Sequence, residues 1–186
     1  MVQTNPASGQ KNALEVAALL KAIRNVPDFP KPGIQFKDVT PLLGDPKLFK
    51  SAIDLLVAPY KGKKVDYIAG IESRGFIFGA ACARALDCGF VPIRKKGKLP
   101  CATESADFDL EYGKDTIEIH KDAFSVGKEV VIVDDVLATG GTAKAAIDLV
   151  SKAAGRVIGI SFLIELSGLK GRDKLTGHQT HALITF

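Results

Sequence analysis

Asp134 and Asp135 stand side by side at the end of an apolar run and lead into hydroxyls and glycines, in the string VVIVDDVLATGGT at residues 130 to 142. The chemistry that such a string can do is to hold a phosphorylated sugar. Carboxylates accept hydrogen bonds from vicinal hydroxyls and attract a hydrated Mg²⁺. Gly140 and Gly141 can adopt positive φ and bring bare backbone against a ligand, while Thr139 and Thr142 add hydroxyl donors where the next helix begins. Unpaired N–H groups at that helix start would hold a phosphate. The G-x-x-x-x-G-K-[ST] loop of ATP-binding folds and the G-x-G-x-x-G of dinucleotide folds are both missing around this segment, so those nucleotide sites lose ground. Ordinary helix capping is the bland alternative for the D-D and T-G-G pieces taken one at a time.

Two further loops carry charge that suits an anion. IESRGF, residues 71 to 76, places Glu72, Ser73, Arg74 and Gly75 where another helix is expected to begin. The planar fork of Arg74 and the backbone amides around Ser73 and Gly75 could hold a diphosphate; a plain helix cap is the alternative. RKKGK, Arg94 to Lys98, puts four cations in five residues, which repel one another unless an anion or solvent separates them. A phosphate at one end of a ribose and a diphosphate at the other would use all three loops.

The elements that must position these loops follow from periodicity. Val130 to Val133 is a β-branched run suited to a strand buried on both faces and ending in the two acids. Residues 12 to 25 carry a helical stripe that closes before Pro27, and the proline-rich 27 to 38 reads as a stiff irregular loop. Asp45 and Pro46 look like the N-cap and first residue of a helix running toward Pro59. Val65 to Gly70, Gly75 to Leu86 and Phe90 to Ile93 form a strand, helix, strand unit. Residues 96 to 121 read as a hairpin around Gly113 and Lys114 that projects from the sheet. A helix from about Gly141 to Ala154 with Gly155 as its stop, a strand from Val157 to Leu163 and a last strand within 180 to 186 complete the chain. Alternating strands and helices predict an α/β fold with an open, mainly parallel twisted sheet and flanking helices, its function at the carboxyl ends of the strands. All three charged loops leave strand ends, so they are expected to face one crevice.

Composition narrows the class. With 186 residues, 46% hydrophobic and 25% charged, the chain fits a single domain over 12–186 behind a short extension, 1–11. A net charge of +4 is too mild to indicate a nucleic-acid surface. Cys82, Cys88 and Cys101 are odd in number and lack C-x-x-C spacing, which suits reduced thiols. His178 and His181 have no nearby Cys or carboxylate partners and are assigned no metal. The N-terminus is polar, and no segment reaches about 18 uninterrupted apolar residues, so a cytoplasmic protein without membrane partners is expected.

The strand, the acid pair and T-G-G-T at 130 to 142 resemble the signature of the type I phosphoribosyltransferases. PDFPKPGIQFKDVTPLL at 27 to 43, IAGIESRGFIFG at 68 to 79, IRKKGKLP at 93 to 100 and LEYGKDTIEIHKDA at 110 to 123 are similar, in family order, to the members that act on adenine. The resemblance implies transfer of the 5-phosphoribosyl group from 5-phosphoribosyl 1-diphosphate to adenine, giving AMP and diphosphate, with Mg²⁺ as cofactor and a homodimer as the assembly. It places Ala138, Thr139, Gly140, Gly141 and Thr142 on the 5′-phosphate and Asp134 and Asp135 on the ribose hydroxyls and, through water, on Mg²⁺. Ser73, Arg74, Arg94, Lys95 and Lys98 are placed on the diphosphate; in the family the peptide before this serine is often cis, and the resemblance leaves the state of Glu72–Ser73 open. A hood at about 27 to 43 stacks Phe36 on one face of the base with Val136 or Leu137 on the other, and the backbones of Gln35 and Lys37 read its edge. Lys37 stands where many relatives carry Arg, which leaves a single-point rather than a forked contact. A lid at about 96 to 121 supplies Glu111 as acid or base and Tyr112 as a substrate contact; Arg74 and Lys95 assist the leaving group. The rivals are a transferase for another base and a regulator that binds the sugar donor without turnover; a regulator would need a DNA-binding module for which the stretch before the first helix is too short.

Overall fold

The computed structural model describes residues 6–109 and 114–186. They fall into two compact units, Met1–Leu55 and Leu56–Phe186.

The first unit contains α1 (Pro6–Ala22), β1 (Arg24–Pro27), β2 (Gln35–Asp38), α2 (Thr40–Gly44) and most of α3 (Pro46–Val57). Helix α1 begins at Pro6, so part of the stretch read as an extension is already helical, and it ends at Ala22 rather than near residue 25. It ends early because Arg24 to Pro27 pair antiparallel with Gln35 to Asp38, which corrects the expectation of an irregular loop. Pro27, the last residue of β1, is compatible with a strand here because a two-stranded ribbon leaves an edge on which a missing donor costs little, while Pro30 and Pro32 fall in the connection. Gly33, at φ +87°, donates its N–H to Asp28 Oδ1 at 2.7 Å and closes the turn between the strands. At the far end Arg24 Nε donates to Asp38 Oδ2 at 2.9 Å, while Asp38 Oδ1 accepts from Thr40 N at 2.9 Å. The Thr40 hydrogen bonds, with Arg24 beside them, hold the Asp38 carboxyl down to about 2. Asp45 caps α3 as expected, its Oδ1 accepting from Lys47 N at 2.8 Å and Leu48 N at 3.1 Å.

The second unit carries β3 (Tyr67–Ile71), α4 (Gly75–Leu86), β4 (Gly89–Lys95), β5 (Thr103–Asp109), β6 (Lys114–His120), β7 (Glu129–Leu137), α5 (Gly141–Lys152), β8 (Arg156–Glu165) and β9 (Thr180–Thr185). Seven strands form one sheet in the order β5-β6-β4-β3-β7-β8-β9, and the five from β4 to β9 are parallel. Helix α4 packs on β3, β4 and β7, and α5 packs on β5 to β8. Covered on both faces, β3 and β7 bury consecutive residues, among them Ile68, Ala69, Gly70 and Ile71, and Val130 to Val133.

Two expectations change. The hairpin is not free of the sheet: β6 pairs antiparallel with β4 at Arg94↔Glu118 and Lys95↔Ile117, and Ala106, Ile117 and Ile119 are buried in the core. Its alternating residues thus have a buried side, which anchors the base of the hairpin. The stop of α5 also differs, since the left-handed residue is Ala154 at φ +64° and not Gly155. Gly155 answers to space instead, because a Cβ there would come within 2.9 Å of Phe124 and Val150.

Candidate active site

Strand β7 does not stop at the acids but runs through them to Leu137, pairing Asp134 with Phe162 and Val136 with Ile164 of β8. Successive strand residues point to opposite faces, so the two carboxylates part. Asp134 and Val136 line a small open pocket with the Ala138–Gly140 turn, Thr142 and Phe162. Asp135 lies on the other side, 5% exposed, with Arg74 Nε 2.7 Å from its Oδ2. Leu137 is 1% exposed and belongs to the core, which leaves Val136 as the half-exposed side chain of the pair expected at the base.

The turn into α5 leaves a donor-rich end. Gly140 is the N-cap at φ +77° and α5 has no side-chain cap, so the first amides of the helix have no intrahelical partner and face the pocket region. Gly141 is the first helical residue and only Gly140 takes positive φ, which corrects the expectation for both. One partner of this turn carried no signal in the sequence. Gly171, in a short helical turn after β8, lies so close that a Cβ on it would stand 2.1 Å from Ala138 O, and a Cβ on Gly140 would stand 2.2 Å from Gly171 O. The phosphate loop is therefore seated on another loop's backbone, a contact that only two glycines allow. Arg172 then anchors that second loop, donating to Glu165 through Nε at 3.0 Å and to Thr180 O through Nη1 at 2.9 Å.

The electrostatics of the acids follow from burial. Burial, and then the charge of Asp135, push the Asp134 carboxyl well above the usual carboxylate range. Burial also raises Asp135, against the pull of the Arg74 guanidinium. A half-buried carboxylate on the pocket side and a buried one behind it share one arginine, and such an acid-rich strand end suits a cation and hydroxyl donors.

Arg74 stands at the N-cap of α4, the Glu72–Ser73 peptide, left open by the sequence, is cis, and Ser73 is exposed at the head of the helix. The neighbouring loop is more structured than its charge suggested. Arg94 forks onto Glu72, Nε to Oε2 at 3.0 Å and Nη2 to Oε1 at 3.2 Å, and its Nη1 donates to Lys98 O at 3.0 Å. Glu72 Oε2 also accepts from Lys95 N at 3.1 Å, and the Arg94 hydrogen bonds pull the Glu72 carboxyl below the usual range. Lys95 Nζ is 3.7 Å from Asp115, and Lys98 is exposed. In the first unit, Gln35 Oε1 accepts from Asn25 Nδ2 at 2.8 Å, Lys37 Nζ donates to Asn25 Oδ1 at 3.2 Å, and Phe36 meets Phe29 edge to face at 5.1 Å. Glu111 and Tyr112 lie outside the described residues. Among the described residues no group of three or more His, Cys, Asp or Glu side chains gathers as a metal cluster, and no helix is long and apolar enough to cross a membrane.

A parallel sheet with an open helix N-terminus, an acid in the pocket beside it and a cationic S-R-G turn on the adjoining strand is an arrangement for a sugar phosphate. Residues 43–179 match the phosphoribosyl transferase domain, and the chain belongs to that family. Relatives that match along most of its length include adenine phosphoribosyltransferases. That of Francisella tularensis subsp. tularensis (strain WY96-3418) is 55% identical over 166 residues, 88% of this chain and 95% of the relative. The crystal structure of adenine phosphoribosyltransferase from Rhodothermus marinus DSM 4252 superposes with a TM-score of 0.90 at 53% identity, covering 94% of this chain and 99% of that one. That from Saccharomyces cerevisiae, complexed with an imino-altritol bisphosphate and adenine, gives 0.87 at 43% identity, covering 92% and 99%.

Proposed function

We propose that this chain transfers the 5-phosphoribosyl group of 5-phosphoribosyl 1-diphosphate to adenine, forming AMP and diphosphate in purine salvage. The observation that carries the reading is the pocket at the end of β7, where Asp134 adjoins the uncapped N-terminus of α5. The amides and hydroxyls of Ala138 to Thr142 take the 5′-phosphate, and Asp134 accepts from the ribose hydroxyls. Asp135 acts beside it through Arg74, which it orients.

Displacement at the anomeric carbon builds negative charge on the departing diphosphate and positive charge on the ribose. Arg74, Lys95 and Lys98, with the Ser73 backbone, stabilise the former by preorganised charge. The donor set at the strand end fits Mg²⁺, which takes oxygen ligands from one or two carboxylates, water and substrate phosphates rather than from a protein cage. Asp134, the acid on the pocket side, would hold it through water, and when bound it would neutralise charge on the diphosphate; Asp135, turned away and engaged by Arg74, would not reach it, unlike the pairing the resemblance implied. Base recognition belongs to Gln35, Phe36 and Lys37 on the strength of the resemblance of 27–43. Residues two apart on a strand present their main-chain groups to the same edge, so Gln35 and Lys37 act as a matched pair. An amino donor beside a ring acceptor satisfies such a pair, and a 6-oxopurine leaves it unsatisfied. The hairpin excludes water as a lid, and Glu111 and Tyr112 serve as acid or base and as substrate contact on the strength of the resemblance. The protein works as a cytoplasmic homodimer.

The reading is tested by following diphosphate release from the sugar donor with adenine, hypoxanthine, guanine, xanthine or orotate, each with and without Mg²⁺. Release with adenine alone, and only with the metal, is expected; conversion of hypoxanthine but not adenine overturns the base assignment.

A further inference from the structure

The cationic loop Arg94 to Lys98 meets a carboxylate that the proposed chemistry does not use. Glu118, on β6, is 6% exposed and sits beside a loop meant to attract a polyanion. A buried negative charge there opposes diphosphate binding unless it does something else. Its oxygens divide between two donors: Oε2 accepts from Gly97 N, at the tip of the loop, at 2.9 Å, and Oε1 accepts from Ser105 Oγ on β5 at 3.3 Å. Gly97 is the loop's turn, at φ +76°, with Lys98 N donating to Lys95 O at 3.2 Å across it. The same loop is held at its start by Glu72, through Arg94 and Lys95 N, and by the Lys96 N to Thr116 O bond at 3.1 Å. Four like-charged side chains in five residues splay apart when their backbone is free, and a charge-assisted bond to a backbone amide is the strong way to prevent that.

We propose that Glu118 is a positioning residue: by accepting from the Gly97 amide it fixes the turn of the Arg94–Lys98 loop so that Lys95 and Lys98 meet the diphosphate of the sugar donor. Arg94 serves as a brace in the same device, tying the loop to Glu72 of the neighbouring S-R-G turn, and its guanidinium does not contact diphosphate. The inference rests on the reading of the site given above.

Two variants separate the hydrogen bond from the charge. Glu118→Gln keeps an oxygen acceptor for Gly97 and removes the charge; Glu118→Ala removes both. Steady-state kinetics with the sugar donor and adenine varied in turn, inhibition by diphosphate, and thermal melting are measured on each. For E118A the KM for the donor and the inhibition constant for diphosphate are expected to rise about tenfold or more, as for loss of a charge-assisted hydrogen bond, with the KM for adenine unchanged and cooperative melting retained. E118Q is expected to recover most of that loss. If E118A leaves both constants as they are, or if E118Q binds diphosphate as weakly as E118A, the positioning role falls. If E118A does not melt cooperatively, E118Q and the serine partner variant Ser105→Ala are compared with wild type instead, and donor KM values raised in E118Q overturn the proposal. Absence of adenine-dependent turnover in the wild-type chain is a different failure, that of the functional reading itself.

Discussion

Arg74 has two tasks that compete for one guanidinium. Its Nε lies 2.7 Å from Asp135, whose carboxyl burial raises against the pull of this guanidinium, and the proposed chemistry asks the same group to meet diphosphate. A planar fork can do both, because separate N–H groups point to separate acceptors, whereas an ammonium is a single point charge. Arg74→Lys is therefore expected to keep the fold but lower kcat/KM for the sugar donor by about 10²- to 10³-fold, the scale of losing one preorganised donor at a developing charge. Kinetics with the donor varied, alongside melting curves, check this; a lysine enzyme within a few-fold of wild type would show that the fork is not needed. The identities of Arg74, Asp134 and Thr142 were legible in the sequence because their types and order spell a chemistry. Their division of labour was not, since strand alternation separates Asp134 from Asp135 only if β7 continues through both.

Among the elements, the turn before α5 and the turn after β8 support each other. The T-G-G-T string marks the first, but nothing in GLKGRDKL marks the second as its seat, because two short turns distant in sequence meet only when β7 and β8 pair. A methyl group on Gly171 would stand 2.1 Å from Ala138 O, so one loop must shift. Gly171→Ala is expected to lower kcat/KM for the donor about 10²-fold, as a displacement of about 1 Å in a positioned group does, while the adenine KM stays as it was. Donor and adenine titrations on the variant provide the measurement. The hairpin of β5 and β6 shows the converse: its alternation and its turn were readable, and its attachment to β4 was not. The β1–β2 ribbon was hidden by its prolines, whose usual effect is to exclude strands, until a partner strand allowed an edge.

Over the whole molecule the thiols report on global integrity. Burial pushes the Cys82 thiol up to about 12 and also raises half-buried Cys88, while Cys101 is exposed. With a thiol-reactive reagent at neutral pH, Cys101 is expected to be modified at once and Cys82 only as fast as the molecule unfolds. Mass spectrometry of the labelled protein against time checks it; rapid labelling of Cys82 would mean that the α4 face of the sheet opens locally. The sequence by itself determined the class of fold and the identity of the loops, because hydrophobic period and residue type are local properties that each segment carries alone. Which acid faces the pocket, which glycine bears positive φ, what seats the phosphate loop and which carboxylate grips the cationic turn were decided only by tertiary structure. Each of those depends on distances between segments far apart in the chain, and strand pairing and close packing set those distances.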